Sequence, residues 1–233
     1  MRRMFDSVSQ KYTLLNKILT LGQDDRWRDK LIQSIHPKYG DKILDVCTGT
    51  GDLAIKLAKK FVDVEIYAID FSPNMINEAE KKAYKDGIRT INFIENDCLD
   101  IDFEDNSFDY VTISFGFRNL SYSEENINRA LTEIYRVLKY NGHLAILETS
   151  QPKNRLIRKV FHIYVKKIVP TLGSLISGNG KAYSYLGRSI ARFFDRNELE
   201  AILVSKGFKK EKIISFMFGG ILLSLFKKST NGA

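Results

Sequence analysis

The chain has 233 residues, of which 44% are hydrophobic, and carries a formal net charge of +8. This length and composition are typical of one folded domain, and they exclude disordered, collagen-like and disulfide-scaffold proteins. The sequence contains neither a run of about 18 uninterrupted apolar residues nor a secretory signal, so we expect a cytoplasmic protein without a membrane-spanning helix.

Short apolar runs bounded by polar residues alternate with segments that have apolar residues at helical spacing. We expect Asn141-Gly142 to end one of these helices. The predicted elements, in chain order, are a helical prefix at 1–40, strand 42–46, helix 52–61, strand 65–69, helix 74–86, strands 90–94 and 108–114, helix 124–139, strand 143–148, a helical basic segment at 151–192, helix 195–207, and strands 209–217 and 220–226.

Strands and helices that alternate in this way predict an α/β fold with right-handed crossovers. We therefore expect a doubly wound, mostly parallel, seven-stranded sheet of the Rossmann-like type, finished by an antiparallel pair. The whole chain, 1–233, is predicted to be a single domain. Residues 1–40 would form a helical lid, and residues 151–192 a helical insertion on the substrate side.

The junction between the first strand and its helix is rich in glycine. Gly49 and Gly51 let the backbone approach a ligand closely at the N-terminus of the helix. Asp70 ends the next strand, where an acid can accept hydrogen bonds from ribose hydroxyls. The pattern predicts a nucleotide-type site at the carboxyl edge of the sheet.

Two classes of cofactor are compatible with these glycines. Gly49, Gly51 and Ala54 also match the loose dinucleotide pattern, and Tyr135 with Lys139 have the spacing of a short-chain dehydrogenase. An NAD-dependent dehydrogenase is therefore an alternative.

Asp45 favours a different cofactor. A carboxylate just before the glycines would repel a pyrophosphate and would attract a cationic group. S-adenosylmethionine carries an ammonium and a sulfonium, and its adenine could meet Asp97 and the amide of Cys98 after the third strand. We therefore predict a SAM-dependent methyltransferase. Neither Cys98 nor Cys47 has the CxxC or Cys/His spacing of a structural zinc site, so no metal is expected.

Several segments of the chain resemble one family, the class I methyltransferases that methylate ubiquinone and menaquinone precursors. The resemblance runs almost from end to end. The segments that carry it are Leu-Asp-Val-Cys-Thr-Gly-Thr-Gly-Asp at 44–52, Ile-Ser-Phe-Gly-Phe-Arg-Asn at 113–119, Leu-Glu-Thr-Ser-Gln-Pro at 147–152, residues 5–12 with Asn16, Arg-Trp-Arg at 26–28, residues 170–175, and residues 182–186 with Ser189-Ile190.

This resemblance implies a function and a set of site residues. The reaction would be C-methylation of a polyprenylated quinol, of the demethylmenaquinol to menaquinol type. The positions implied in SAM binding are Thr50, Asp70, Asp97, Cys98 and Ser114. The candidates for the quinol pocket are Tyr12, Asn16, Tyr183 and Tyr185.

The chemistry of ring methylation points to two further residues. An aromatic carbon becomes nucleophilic when the adjacent hydroxyl loses its proton, and a group that stabilises the phenolate lowers the barrier. Arg118 stays protonated and can pair with this oxyanion, and Asn119 can orient the same hydroxyl. We predict that both are catalytic, and we find no obvious general base.

The basic residues concentrate in the insertion. Arg155, Arg158, Lys159, His162 and Lys166 share about a third of the circumference of one helix, which predicts a cationic amphipathic helix. Its apolar side either packs on the core or docks on an anionic membrane that holds the polyprenyl substrate.

These observations lead us to expect a polyprenylated quinol and an anionic membrane surface as partners. A homodimer is a further option, and no nucleic acid is expected. The open alternatives are methylation of another small molecule or of RNA, and a non-catalytic SAM-binding module.

Overall fold

A sheet of seven strands runs through the centre of the protein. The computed structural model describes Lys17, Thr20 and residues 22–120, 123–171 and 180–229, the side chains of 180–184 and 186 excepted. The strands are β1 (Lys42–Val46), β2 (Glu65–Asp70), β3 (Ile91–Glu95), β4 (Phe108–Ser114), β5 (Leu138–Thr149), β6 (Phe208–Phe216) and β7 (Ile221–Lys228).

The spatial order of the strands is β3-β2-β1-β4-β5-β7-β6. The first five strands are parallel, and β7 runs antiparallel to both of its neighbours. The strand order reverses between β1 and β4, and ligands of open α/β sheets bind at the carboxyl ends of strands at such a point. The predicted doubly wound, mostly parallel sheet is confirmed.

Helices cover both faces of this sheet. They are α1 (Gln23–Ile32), α2 (Asp52–Lys60), α3 (Pro73–Lys85), α4 (Glu124–Val137), α5 (Arg155–Ile163), α6 (Gly180–Arg192) and α7 (Arg196–Ser205). The apolar sides of α1 and α2 belong to one buried cluster, and those of α4 and α7 belong to another. Since Trp27 and Leu31 of α1 are buried in the first cluster, this part of the N-terminal region belongs to the core.

Local sequence sets most of the helix boundaries. Ser72 caps α3 by accepting a hydrogen bond from the amide of Met75, and Pro73 occupies the first helical position. Asp195 forms a capping box with Glu198 at the start of α7. These polar residues satisfy backbone groups that would otherwise lack partners.

The end of α4 differs from the sequence expectation. The helix ends at Val137, and Asn141-Gly142 lies inside β5, where the register with β4 shifts. The expectation that these residues end the helix is wrong. A Cβ on Gly142 would lie 2.8 Å from the carbonyl oxygen of Lys139, so only glycine allows the tight bulge. The bulge brings Lys139 to Asp109, at 2.8 Å.

The insertion consists of helices in the residues that the structure describes. After α5 the chain continues as a π-helix, Tyr164–Ile168, which packs against α6. A Cβ on Gly187 of α6 would lie 2.1 Å from the carbonyl oxygen of Val165, so this glycine allows the two backbones to touch. Within the described residues, no helix has the length and apolar character needed to cross a bilayer.

Candidate functional site

A cavity opens at the carboxyl edge of the sheet, beside the glycine-rich turn after β1. Four acids line it, and three of them lie near the ends of three neighbouring strands: Asp45 in β1, Asp70 in β2, and Asp97 after β3. The fourth, Asp52, is the first residue of α2. Thr50, Cys98, Ser114 and Gly49 also line the cavity. The structure thus brings together the residues that the sequence placed at separate strand ends, with one exception.

That exception is Gly51, which does not line the cavity. Its φ is 74°, and a Cβ there would lie 3.0 Å from the Cβ of Ala79 and 3.2 Å from the ring of Phe93. The glycine is therefore needed for the close packing of the turn against α3 and β3. Its expected contact with the cofactor stays a prediction.

Asp70 holds the glycine turn in place. Its carboxylate accepts hydrogen bonds from the backbone N–H of Gly49, at 2.9 Å, and from that of Ser72, at 3.0 Å. Because a carboxylate has about four lone-pair sites, it can accept further hydrogen bonds from a ligand such as a ribose. A Cβ on Gly49 would touch nothing within 4 Å, so the turn leaves open space beside this acid.

Asp45 is almost completely buried in the wall of the cavity. The hydroxyls of Thr48 and Thr112 donate to its two oxygens, at 2.6 and 2.7 Å. Burial raises the pKa of the Asp45 carboxyl to about 6, although both hydroxyls favour the ionised form. A cationic ligand group beside Asp45 would stabilise the ionised carboxylate and so offset the cost of burying its charge.

Two side chains of the cavity lining, Ser114 and Asn119, each bury an oxygen atom in the wall. Ser114 Oγ and Asn119 Oδ1 form no hydrogen bond with any residue that the structure describes. Such atoms are costly unless a partner reaches them. Together with the three acids they fit a ligand that carries positive charge, ribose hydroxyls and a polar base, as S-adenosylmethionine does.

The two cysteines of the chain meet in the same wall. Cys47 donates a hydrogen bond to Cys98, with a Sγ–Sγ distance of 3.8 Å. This hydrogen bond and burial raise the pKa of Cys47 well above its usual value. Its thiol is therefore not an activated nucleophile, and its role is to pack the cavity wall.

A second, mainly apolar cavity adjoins the first. Arg28 and Phe115 line both cavities and form the wall between them. The remaining walls of the second cavity come from α1 and the residue Thr20 before it, the turn after β4, the end of β5, the insertion, and the start of β7 with the turn before it. These residues are Thr20, Asp24, Trp27, Arg118, Thr149, Phe161, Tyr164, Val165, Val169, Ile190, Met217 and Ile221.

Comparison with known proteins identifies the family. The model of the ubiE/COQ5 methyltransferase family matches residues 1–226. The chain belongs to this family. It is 38% identical to the demethylmenaquinone methyltransferase of Bacteroides fragilis over 93% of this chain and 87% of that protein. It is also 38% identical to the ubiquinone/menaquinone biosynthesis C-methyltransferase UbiE of Rickettsia prowazekii, over 89% of this chain and 84% of that protein.

The fold is shared with solved structures of methyltransferases. A SAM dependent methyltransferase from Aquifex aeolicus superposes with a TM-score of 0.61 at 21% identity, over 86% of this chain and 88% of that one. Family and fold indicate S-adenosylmethionine as the cofactor, and the predicted SAM-dependent methyltransferase is confirmed.

The dehydrogenase alternative is wrong. Tyr135 packs against Phe208 and donates to a backbone carbonyl, and Lys139 pairs with Asp109. Neither residue lines the two cavities. Tyr135 lies on the amphipathic helix α4 and Lys139 in the strand β5 that follows it, so their spacing reflects packing.

Within this family member, Arg118 and Asn119 face different spaces. Arg118 lines the apolar cavity, and Asn119 lines the cofactor cavity. The Nη1 of Arg118 donates to Glu148 Oε1, at 3.0 Å, and to the carbonyl of Phe115, at 2.6 Å. The carboxylate of Glu148 is fully buried, and this ion pair orients the Arg118 guanidinium and partly neutralises its charge. The expectation that Asn119 orients the acceptor hydroxyl stays a prediction.

The sequence did not single out two residues that the structure places at the cavities, Glu148 beside Arg118 and Arg28 between the two cavities. Glu148 was recognised only as part of a family segment, and Arg28 likewise. Arg28 is buried, binds Asp24 at 2.6 Å, and lies with its guanidinium carbon 5.6 Å from the centre of the Phe115 ring. The spacing of Asp24 and Arg28 on one helix could have indicated their pairing, but no local signal places Arg28 between two cavities.

The remaining substrate candidates are not placed by the structure. Tyr12, Asn16 and the side chain of Tyr183 lie outside the described residues. Tyr185 is half-buried in α6 and belongs to the lining of neither cavity. Their role in binding the quinol stays a prediction.

The buried acid predicts a pH dependence of cofactor binding. Since the pKa of Asp45 is about 6, its carboxylate forms as the pH rises through this value, and a cationic ligand end needs that form. Binding of S-adenosylmethionine should therefore weaken by roughly tenfold for each pH unit below about 6. Calorimetric titration between pH 5 and 8 measures this.

Asp45→Asn provides the matched control. The amide keeps the shape but never ionises, so its cofactor affinity should be low at pH 7 and flat with pH. The unliganded variant should be at least as stable as the wild type above pH 6, because burying the ionised carboxylate costs stability there. A wild-type affinity that is flat between pH 5 and 7 would contradict the assignment of Asp45.

Proposed function

We propose that the protein transfers the methyl group of S-adenosylmethionine to a ring carbon of a polyprenylated quinol, of the demethylmenaquinol type, as a cytoplasmic enzyme that associates peripherally with the membrane. The observation that carries the proposal is the pair of adjoining cavities. One is acidic and suits a cationic nucleotide, and the other is apolar and suits an aromatic acceptor. The names of the relatives from Bacteroides fragilis and Rickettsia prowazekii support a quinol over other acceptors.

The residues of the apolar cavity support this reaction. S-adenosylmethionine supplies an electrophilic methyl group when bound. Trp27 and Phe115, whose rings are tilted by 55° to each other, give the acceptor ring apolar aromatic contacts beside the cofactor cavity. Arg118 provides a fixed positive group for the oxygen of the ring, because Glu148 and the Phe115 carbonyl hold it in one orientation.

Product analysis tests the reaction. The purified protein should convert a short-chain demethylmenaquinol and S-adenosylmethionine to a product that mass spectrometry shows to carry one added methyl group on a ring carbon. A benzoquinol acceptor and an RNA pool, supplied separately, test the other acceptor classes. Failure to methylate either quinol, with methylation of RNA, would overturn the proposal.

Arg118→Lys tests the stabilisation of the phenolate. Lysine keeps the positive charge beside Glu148 but loses the planar fork of donors. We expect kcat to fall by about tenfold to 100-fold, or roughly 1.4 to 3 kcal/mol, with little change in SAM affinity. Alanine is a poorer test, because an unpaired buried Glu148 would destabilise the fold by about 3–5 kcal/mol.

Arg136→Lys is the control for this variant. Arg136 also binds several oxygens through its fork, from Glu133, Asp105 and two backbone carbonyls, but it lies outside both cavities. Its kcat should be unchanged. If Arg118→Lys retains a normal kcat and only weakens SAM binding, the role assigned to Arg118 is wrong.

The charge of the insertion supports contact with an anionic membrane. Residues 151–192 contain nine Lys and Arg and no Asp or Glu, whereas the rest of the chain has 27 basic and 28 acidic residues. Leu156, Val160 and Ile163 of α5 are exposed, and the buried side of this segment is formed by Val165 and Val169. An exposed apolar stripe beside lysines and arginines is typical of helices that lie in a membrane interface.

Replacing exposed basic residues tests this contact. Arg155, Lys159 and Lys166 are exposed, whereas Arg158 donates to the carbonyl of Pro152 and is better left intact. Changing these three residues to Gln should weaken binding to anionic vesicles at low salt by about 1 kcal/mol each. Co-sedimentation measures it.

The control removes the same charge elsewhere. Lys60, Lys85 and Lys209 are exposed on other elements, and changing them to Gln should leave vesicle binding unchanged. Equal losses in both triple variants would mean that only the net charge matters, and no loss in either would contradict the contact. The homodimer stays a prediction.

A further inference from the structure

The turn between β6 and β7 exposes two large apolar side chains. The turn is a short 3-10 helix, Met217–Gly219, which we name the hairpin tip. Phe218 is 82% exposed and Met217 is 52% exposed. Exposed aromatic side chains at a protein surface often mark an interaction site when they group with other apolar residues.

The backbone of the hairpin tip is strained. Met217 and Phe218 have φ values of 48° and 56°, in the left-handed region that glycine or asparagine normally occupies. Each such residue costs on the order of 1 kcal/mol or more. The fold therefore holds Phe218 outward, in water, and leaves Met217 half exposed, at a cost in stability, and strain of this kind is concentrated at functional sites.

The hairpin tip lies beside the insertion and the apolar cavity. Ile221, which follows it, pairs with Thr149 at the end of β5, so the tip is at the carboxyl edge of the sheet. A Cβ on Gly220 would lie 3.3 Å from the ring of Phe161 in the insertion. Met217 itself lines the apolar cavity. Tip, basic helix and cavity therefore share one side of the molecule.

We propose that the hairpin tip is a membrane anchor that inserts Phe218 into the interface of an anionic bilayer, next to the cavity that receives the acceptor. The basic residues of α5 supply electrostatic attraction, and Phe218 supplies apolar area. A polyprenyl acceptor could then pass from the bilayer to the cavity beside Met217. The proposal rests on the proposed function for the identity of this acceptor, and its vesicle-binding test is independent of it.

Charge favours a lipid surface over a second copy of the chain. A copy that docked through the same side would bring two basic insertions together, and like charges oppose such contact. An anionic bilayer instead complements the insertion, which lacks acidic residues altogether.

Phe218→Ser tests the anchor, with Tyr39→Ser as the matched control. Tyr39 is 88% exposed and precedes β1, at the opposite edge of the sheet. Phe218→Ser should weaken partition into phosphatidylglycerol-containing vesicles by about tenfold or more, because it removes the aromatic side chain that the bilayer would bury. The difference should persist at about 1 M salt, where the Debye length is roughly 3 Å. Tyr39→Ser should bind like the wild type.

Phe218→Trp provides a direct readout of insertion. Its emission should shift to the blue on addition of anionic vesicles, and lipids brominated on the acyl chain should quench it. Tyr39→Trp should show neither effect. The wild type, whose one tryptophan is Trp27, gives the background signal for both variants.

The outcomes separate this proposal from the proposed function. Phe218→Ser should keep the wild-type kcat on a soluble short-chain demethylmenaquinol, since Phe218 lines neither cavity. Unchanged vesicle binding by Phe218→Ser, with no response from Phe218→Trp, overturns the anchor and leaves the reaction standing. A concentration-dependent dimer that Phe218→Ser abolishes, without any vesicle effect, also overturns it. Absence of quinol methylation by the wild type contradicts only the proposed function.

Discussion

The hydrogen bond from the glycine turn to Asp70 is the constraint on which the site depends. The amide of Gly49 donates to the Asp70 carboxylate and so joins the end of β1 to the end of β2, while the amide of Ser72 holds the same carboxylate from its own side. Parallel strands make this possible, because their carboxyl ends meet at one edge. The acids of three strands thereby face one cavity, although they are far apart in the chain.

Two buried charges sit close to that cavity and are stabilised differently. Asp45 has only neutral hydroxyls as hydrogen-bond partners, so burial still raises its pKa and it remains responsive to a cationic ligand. Arg118 is paired with Glu148, so its charge is fixed in place and partly balanced. The first arrangement suits a group that binds a cation, and the second suits a donor that must keep one orientation.

The division of charge along the chain gives the molecule two unlike sides. The segment 151–192 carries all of the positive excess, and the rest of the chain is close to neutral. This segment, the apolar cavity and the hairpin tip meet at the carboxyl edge of the sheet.

The sequence by itself determined the sheet, the glycine turn and the acids that follow the strands, because apolar periodicity, caps and glycine positions are local signals. It placed Asn141-Gly142 at a helix end, since a sequence cannot show that a bulge forms in β5, and it did not show that Gly51 packs against Ala79. Only the tertiary structure decided that Arg118 pairs with Glu148, that Arg28 separates two cavities, and that Met217 lies beside the insertion. These are contacts between residues far apart in the chain or on different elements, and packing alone brings them together.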